Sequence, residues 1–177
     1  MCRTFVLLLL SAGIARAQTA YEVNRWFYEA ERGDAGAAFW LGVAYDQGKG
    51  VTQNSLVAVR WFLLSANLGN AEAQNALGQM FEEGRGITRD DAQAAKWYQT
   101  ACEHRPDYGG AGQGCNNLGL LYLDGHGVPQ NRLEAYKYFR LSGTRENLEY
   151  VMSKMTSDEI LEAEKQTQNW LQAHPEN

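Results

Sequence analysis

The chain has 177 residues, which favours a single domain or one compact array of repeats. Its 16 basic and 21 acidic residues give a formal net charge of −5, which argues against nucleic-acid binding because neutralising phosphates requires a basic surface. The content of 45% hydrophobic and 21% charged residues is typical of a globular protein. No apolar run reaches the roughly 20 residues that a membrane-spanning helix needs.

Residues 1–17 have the pattern of a cleavable signal peptide. Arg3 precedes a short apolar stretch at 5–14, and Ala15 and Ala17 frame a small-x-small cleavage site. We predict cleavage after Ala17 and export to the periplasm or the medium of a bacterial cell; the alternative is a short buried helix. Cleavage would leave 14 basic and 21 acidic residues, a net charge of −7.

The rest of the chain is dominated by a repeat. The pattern Leu-Gly-x-x-(Tyr/Phe)-x-x-Gly-x-Gly-(Val/Ile) begins at Leu41, Leu77 and Leu118, with offsets of 36 and 41 residues. An Ala-x-x-aromatic-aromatic pattern follows with the same offsets at Ala58, Ala94 and Ala135. Five extra residues therefore lie within Glu103–Gly114, which the glycines at 109, 110, 112 and 114 predict to be a long loop.

Each unit is predicted to contain two helices. In the first helix of one unit, Ala73, Leu77 and Met80 recur at helical spacing, and Gly78 costs about 1 kcal/mol relative to Ala. The recurrence of this glycine predicts a neighbouring helix packed against it. Paired glycines predict the turn that follows, and the aromatic pair is predicted to fill the space between the two helices. The predicted N-caps of the second helices are Asn54, Asp90 and Asn131.

The predicted array spans residues 18–143. A half unit at 20–34 leads into units at about 35–70, 71–114 and 115–143, and residues 144–177 form capping helices and a tail. Thr156 and Glu159 match a capping box that opens a helix to about Gln172, and its polar side chains suit the end of an open array.

These motifs resemble the Sel-one-like repeat (SLR), a relative of the tetratricopeptide repeat. The resemblance covers roughly residues 20–143 and rests on three copies in phase. It implies an all-α, right-handed α-solenoid that serves as a scaffold or adaptor for another protein or peptide, without a cofactor and without catalysis.

Cys102 and Cys115 align with the end of one unit and the start of the next. Cleavage of the predicted signal peptide would remove Cys2 and leave these two cysteines. An even cysteine count in an exported chain favours a disulfide, and similar exported bacterial SLR proteins carry disulfides at this junction, usually with a shorter loop. Free thiols are one alternative. A metal site built from Cys102, His104, Cys115 and Asp107 is another, although its spacing matches no structural zinc pattern.

The sequence carries no catalytic motif. It lacks S-x-x-K, H-E-x-x-H and a phosphate-binding glycine loop, and its three histidines are scattered. His126 occupies a turn position that is Lys49 or Arg85 in the other units, which predicts a solvated turn. Some similar SLR proteins carry β-lactamase names, so a β-lactamase-like or cell-wall-directed hydrolase is one alternative function. A self-associating structural envelope protein is another.

In this class of solenoid the first helices line the concave face. The positions opposite the recurrent core residues are the predicted binding groove, with apolar ends and a polar or acidic centre: Phe39, Val43, Asp46, Asn75, Gln79, Glu82, Asn116, Leu120 and Leu123. Such a groove suits a peptide with apolar anchors. The alternative is that Phe39, Leu120 and Leu123 pack against neighbouring helices. Trp40 shares a stripe with Ala37 and Ala44, which predicts a core position.

Overall fold

The computed structural model describes residues 19–103 and 110–174, which form nine α-helices and no strand. This confirms the predicted all-α solenoid. Residues 1–17, the predicted signal peptide, lie outside the described residues. The helices in chain order are α1 (19–31), α2 (Ala35–Gln47), α3 (Ser55–Asn67), α4 (Ala71–Glu83), α5 (Asp91–Glu103), α6 (Gly110–Asp124), α7 (Arg132–Ser142), α8 (Arg145–Met152) and α9 (Ser157–Ala173).

A contact between a mid-helix glycine and an aromatic ring joins the two helices of each unit. Gly42 of α2 lies so close to the ring of Phe62 in α3 that an added Cβ would come within 2.5 Å of it. Gly78 contacts Tyr98, and Gly119 contacts Phe139, in the same way. All three rings are buried. The glycine therefore recurs for the predicted reason: a side chain at this position would push the helices apart.

The other ring of each aromatic pair packs towards the preceding unit. Trp61 packs against the core cluster that contains Val23 and Leu41, and Trp97 packs against the cluster that contains Phe62 and Leu77. The sequence predicted that both rings fill the space within one unit. Because adjacent residues on a helix point about 100° apart, the pair divides its contacts between its own unit and the one before.

Turns and caps follow the predicted pattern. Gly48, Gly84 and Gly125 end the first helices in the left-handed conformation, with φ between 68° and 77°. All three predicted N-caps accept backbone N–H groups: Asn54 from Val57, Asp90 from Gln93, and Asn131 from Leu133 and Glu134.

The glycine-rich stretch after α5 differs from the prediction. Gly110, Gly112 and Gly114 belong to α6 rather than to a loop, so the predicted loop is too long at its C-terminal end. Gly110 lies directly on the backbone of Ala71 and Glu72, and a Cβ on Gly114 would come within 2.7 Å of the Cβ of Ala101. These glycines let α6 approach α4 and α5 closely.

Helices α8 and α9 follow the last repeat. Glu159 Oε2 accepts the backbone N–H of Thr156 at 2.7 Å, and Thr156 Oγ1 accepts that of Glu159 at 3.3 Å, which confirms the predicted capping box. Ala163 and Thr167 bury one side of α9. None of the helices within 19–103 and 110–174 combines the length and hydropathy needed to cross a bilayer.

Candidate functional site

Two adjoining cavities lie along the first helices α2, α4 and α6. The first has a volume of about 310 Å³ and the second about 410 Å³, and Gln79 and Gln113 line both. We call their combined surface the first-helix groove. Six of the predicted groove residues line it: Phe39, Val43, Asp46, Asn75, Gln79 and Asn116.

The end of the groove near α2 is apolar. Phe39 and Val43 are half-buried and face Phe62 and Met80 across the first cavity. The ring centroids of Phe39 and Phe62 are 5.8 Å apart, so Phe39 contributes to both the core and the groove wall. This end offers a surface that an apolar side chain of a ligand could cover.

An ion pair contributes to the lining of the first cavity. Arg85 Nη1 donates to both carboxylate oxygens of Asp46, at 2.6 and 2.7 Å, and Arg85 Nε donates to Glu83. Burial favours a lower pKa for Arg85, but the hydrogen bonds to Asp46 and Glu83 raise its pKa above the ordinary value. Arg85 therefore reaches back to the preceding unit and neutralises Asp46, so this part of the groove is polar, within the predicted polar or acidic character. The Arg85 side chain is 37% exposed, so the ion pair lies at a partly solvated turn.

Side-chain amides line the rest of the groove. Asn75 is 4% exposed; its Nδ2 donates to Gln113 Oε1 at 3.2 Å, and its Oδ1 accepts from Asn117 Nδ2 at 3.0 Å. Farther along, Asn147 Nδ2 donates to Asn116 Oδ1 at 2.7 Å. Each amide combines donors with an acceptor, so this surface can match the N–H and C=O groups of a peptide main chain. The sequence missed Gln113 because it lies in the stretch predicted to be a loop.

Three predicted groove residues line neither cavity. Glu82 accepts a hydrogen bond from the hydroxyl of Tyr98 at 2.7 Å; burial and this bond raise the pKa of Tyr98. Leu123 packs in the same cluster as Leu148 and Met152 of α8, and Leu120 is 37% exposed. The residues that line the second cavity are polar apart from Gly112, and the predicted apolar end at Leu120 and Leu123 is not part of that lining. The binding role of these three residues stays a prediction.

Trp40 lies on the surface, so its predicted core position was wrong. It is 50% exposed, whereas Ala37 and Ala44 on the same stripe are buried. Its ring stacks on Trp26 of α1 with centroids 6.0 Å apart and meets Phe39 edge-on at 5.3 Å. The indole thus packs along α1 beside the groove instead of entering the core.

The structure contains the predicted disulfide between Cys102 and Cys115, with Cα atoms 4.7 Å apart. Both residues are buried. A bonded pair offers no thiolate to a metal ion, so the alternative metal site is not supported; its other candidate ligands, His104 and Asp107, lie outside the described residues. Of the described histidines, His126 and His174 line neither cavity.

The chain belongs to the Sel1 repeat family. The family model for the Sel1 repeat matches residues 35–70, 71–105 and 112–147, which correspond to the three helix pairs that follow α1. Proteins of this family are generally non-catalytic scaffolds for protein interactions.

Solved structures of two bacterial SLR proteins are similar to this chain. One is c5321, described as a protective antigen present in uropathogenic Escherichia coli strains and displaying an SLR fold; it is 35% identical with a TM-score of 0.64, over 69% of this chain and 25% of that one. The other is a Sel1 repeat protein from Oxalobacter formigenes, 28% identical with a TM-score of 0.63, over 81% of this chain and 54% of that one. This chain thus spans about a quarter and about half of their lengths. A comparison with curated proteins gives no match.

Proposed function

We propose that this protein is an exported adaptor that holds another protein or peptide in the first-helix groove and catalyses no reaction. The composition of the groove is the observation that supports this best. The residues that recur in every unit, such as Leu41 and Gly42, are buried in the core, whereas the groove positions differ from unit to unit. Each unit therefore presents different chemistry on one shared fold, as a recognition surface requires.

The groove favours an extended peptide with an apolar side chain at one end. That side chain would lie against Phe39 and Val43, and the main chain would bond to the amides of Gln79, Gln113 and Asn116. Because Arg85 neutralises Asp46, the groove does not demand a strongly basic ligand. Main-chain bonds supply affinity in this mode of binding, and the apolar end supplies specificity.

Export is part of the proposal and rests on the pattern of residues 1–17. A buried disulfide suits a protein that works in the periplasm or the medium, where thiols become oxidised. Fractionation of the expressing cells and intact mass spectrometry of the purified chain test export. We expect the mass of a chain that begins at Gln18. A cytoplasmic chain that retains Met1 would contradict export.

Display of a peptide library on the purified protein, followed by fluorescence anisotropy of a selected peptide, tests the groove. Gln79 lines both cavities, so we expect Gln79→Arg to weaken binding about tenfold, equivalent to about 1.4 kcal/mol. Gln172→Arg introduces the same change at an exposed position of α9 and is expected to leave affinity unchanged. Equal affinities of the two folded variants would place the binding site elsewhere.

A further inference from the structure

The outer face of α1 carries an alternating stripe of tyrosine and arginine. Tyr21, Arg25, Tyr28 and Arg32 follow one another at spacings of four, three and four residues, which places them on one side of the helix. Tyr21 and Tyr28 are each 69% exposed, and the side chain of Arg25 is 53% exposed. Both tyrosines therefore present large apolar rings to solvent at the first end of the array.

In the interior of the array, one position of the same stripe makes a stacking contact. The equivalent positions of α3, 36 residues later, are Val57, Trp61, Leu64 and Leu68. Trp61 packs edge-on against Phe27 of α1, with centroids 5.7 Å apart, whereas Leu64 and Leu68 are 38% and 45% exposed. On α1 the stripe has tyrosine at the positions of Val57 and Leu64 and arginine at the positions of Trp61 and Leu68.

The stripe is complementary to itself when two copies run antiparallel. A two-fold axis midway between Trp26 and Phe27 places Tyr21 opposite Arg32 and Arg25 opposite Tyr28. Each guanidinium then meets the face of a tyrosine ring, a favourable cation–π arrangement. Glu29, whose carboxylate lies 3.5 Å from the Arg25 guanidinium of its own chain, comes within reach of the Arg25 of the second copy. No like charges of the stripe oppose each other.

We propose that a second copy of this chain binds here, α1 antiparallel to α1, to form a two-fold dimer. Closed two-fold contacts use the same patch on both copies, as the stripe allows. Helix α1 spans about 20 Å over its 13 described residues, so the contact buries far less than the roughly 800 Å² per partner of a stable interface. The dimer is therefore weak and depends on concentration. No residue of α1 lines the groove, so both grooves stay open for bivalent binding.

Sedimentation equilibrium of the purified protein over a concentration series tests the dimer. We expect the weight-average mass to rise from that of the monomer towards twice that value and no further. Arg25→Glu should weaken association at least about tenfold, since its carboxylate would face the Glu29 of the second copy. Combining Arg25→Glu with Glu29→Arg should recover association by at least about threefold relative to Arg25→Glu alone, because the opposite charges are exchanged; recovery should stay incomplete, since no guanidinium then lies at position 25 opposite Tyr28.

Helix α8 offers a matched control. Arg145 and Glu149 form the same i,i+4 ion pair at 2.7 Å, with side chains 87% and 62% exposed, and they lie outside the stripe. Arg145→Glu, alone or with Glu149→Arg, should leave association unchanged. Tyr28→Ala is a second variant that should weaken the dimer without changing charge. Circular dichroism of each variant shows whether it is folded.

Three results would overturn the dimer. They are a monomer at every concentration, association that survives both Arg25→Glu and Tyr28→Ala, and a mass that climbs beyond twice the monomer. The last would indicate head-to-tail stacking of α1 on the exposed face of α9, where Leu161 is 72% exposed. Peptide binding in the groove, measured at low protein concentration, does not depend on the dimer. A result that overturns the dimer therefore leaves the proposed function to be tested separately.

Discussion

We call the connection between two successive units a joint. At each of the two joints, two equivalent positions of the repeat are linked, but by different chemistry. Between the first and second units, Gln74 Nε2 donates a hydrogen bond to the carbonyl oxygen of Ala66 at 3.1 Å. Between the second and third units, the equivalent positions are Cys115 and Cys102, which form the disulfide. Stacking of units in this fold therefore does not depend on one kind of link.

The length of the connection explains where the covalent link lies. The first joint is short: residues 68–70 connect α3 to α4, and Asn70 caps α4 by accepting the N–H of Ala73 at 2.7 Å. The second joint is longer, because residues 104–109 lie between α5 and α6. A longer segment costs more chain entropy to close, and a disulfide reduces that cost by restricting the unfolded chain.

Removing the disulfide is the largest change we predict. Cys102→Ala with Cys115→Ala should lower the free energy of unfolding by about 3 kcal/mol, the loop-entropy expectation for a bridge that spans 13 residues. Urea unfolding followed by circular dichroism measures this. Reductant should destabilise the wild type and leave the double variant unchanged. Equal urea midpoints of wild type and variant would show that the second joint needs no covalent link.

Within a unit, the mid-helix glycine packs so closely on the aromatic ring that a larger side chain cannot replace it without displacing the ring. Gly78→Ala should lower the free energy of unfolding by up to about 2 kcal/mol, because overpacking against Tyr98 costs about 1–3 kcal/mol while the helix gains about 1 kcal/mol. Combined with Tyr98→Ala, the same change should cost less than the sum of the single effects, because the ring is gone. A stabilising Gly78→Ala would contradict the close contact.

The first joint should be more tolerant than the second. Gln74→Met keeps the length of the side chain and removes its hydrogen bond to Ala66, so we expect a loss of about 1 kcal/mol in urea unfolding. The Gln74–Ala66 hydrogen bond and the Cys102–Cys115 bond join different residues, so we expect this loss to add to that of the disulfide variant. A marked departure from additivity would show that the two joints are coupled.

The smallest predicted effect lies beyond the last joint, at the start of α9. The backbone N–H of Thr156 holds the pKa of Glu159 below its ordinary value of 4.5. A lowered pKa in the folded state stabilises the protein above pH 4.5, and this contribution is lost as the pH falls through the folded-state value. An NMR pH titration should place the pKa of Glu159 below 4.5. Thr156→Ala removes the hydroxyl that also donates to Glu159 at 3.0 Å but keeps the backbone N–H, so it should move the pKa only part of the way towards 4.5.

Local features of this fold could be predicted because they repeat or depend on near neighbours. The Gly78–Tyr98 contact, the Asn54 cap and the Thr156–Glu159 capping box each lie within one helix or one helix pair. The position of Cys102 and Cys115 in the repeat indicated their pairing. In the candidate site, the first helices form the groove, and Val43 and Gln79, two of the predicted groove residues, line it.

The sequence by itself determined the repeat, its helix pairs and its caps, because spacing along a helix reports which side is buried; the resemblance to the repeat family indicated which helices carry the groove. Only the tertiary structure decided what covers each side. Arg85 reaches Asp46 across 39 residues, and Asn75 meets Gln113 across 38. Trp40 stays exposed beside Trp26 of α1, and Leu123 packs in the cluster that includes Leu148 and Met152 of α8. Such contacts depend on how successive units stack, which periodicity within a single unit does not encode.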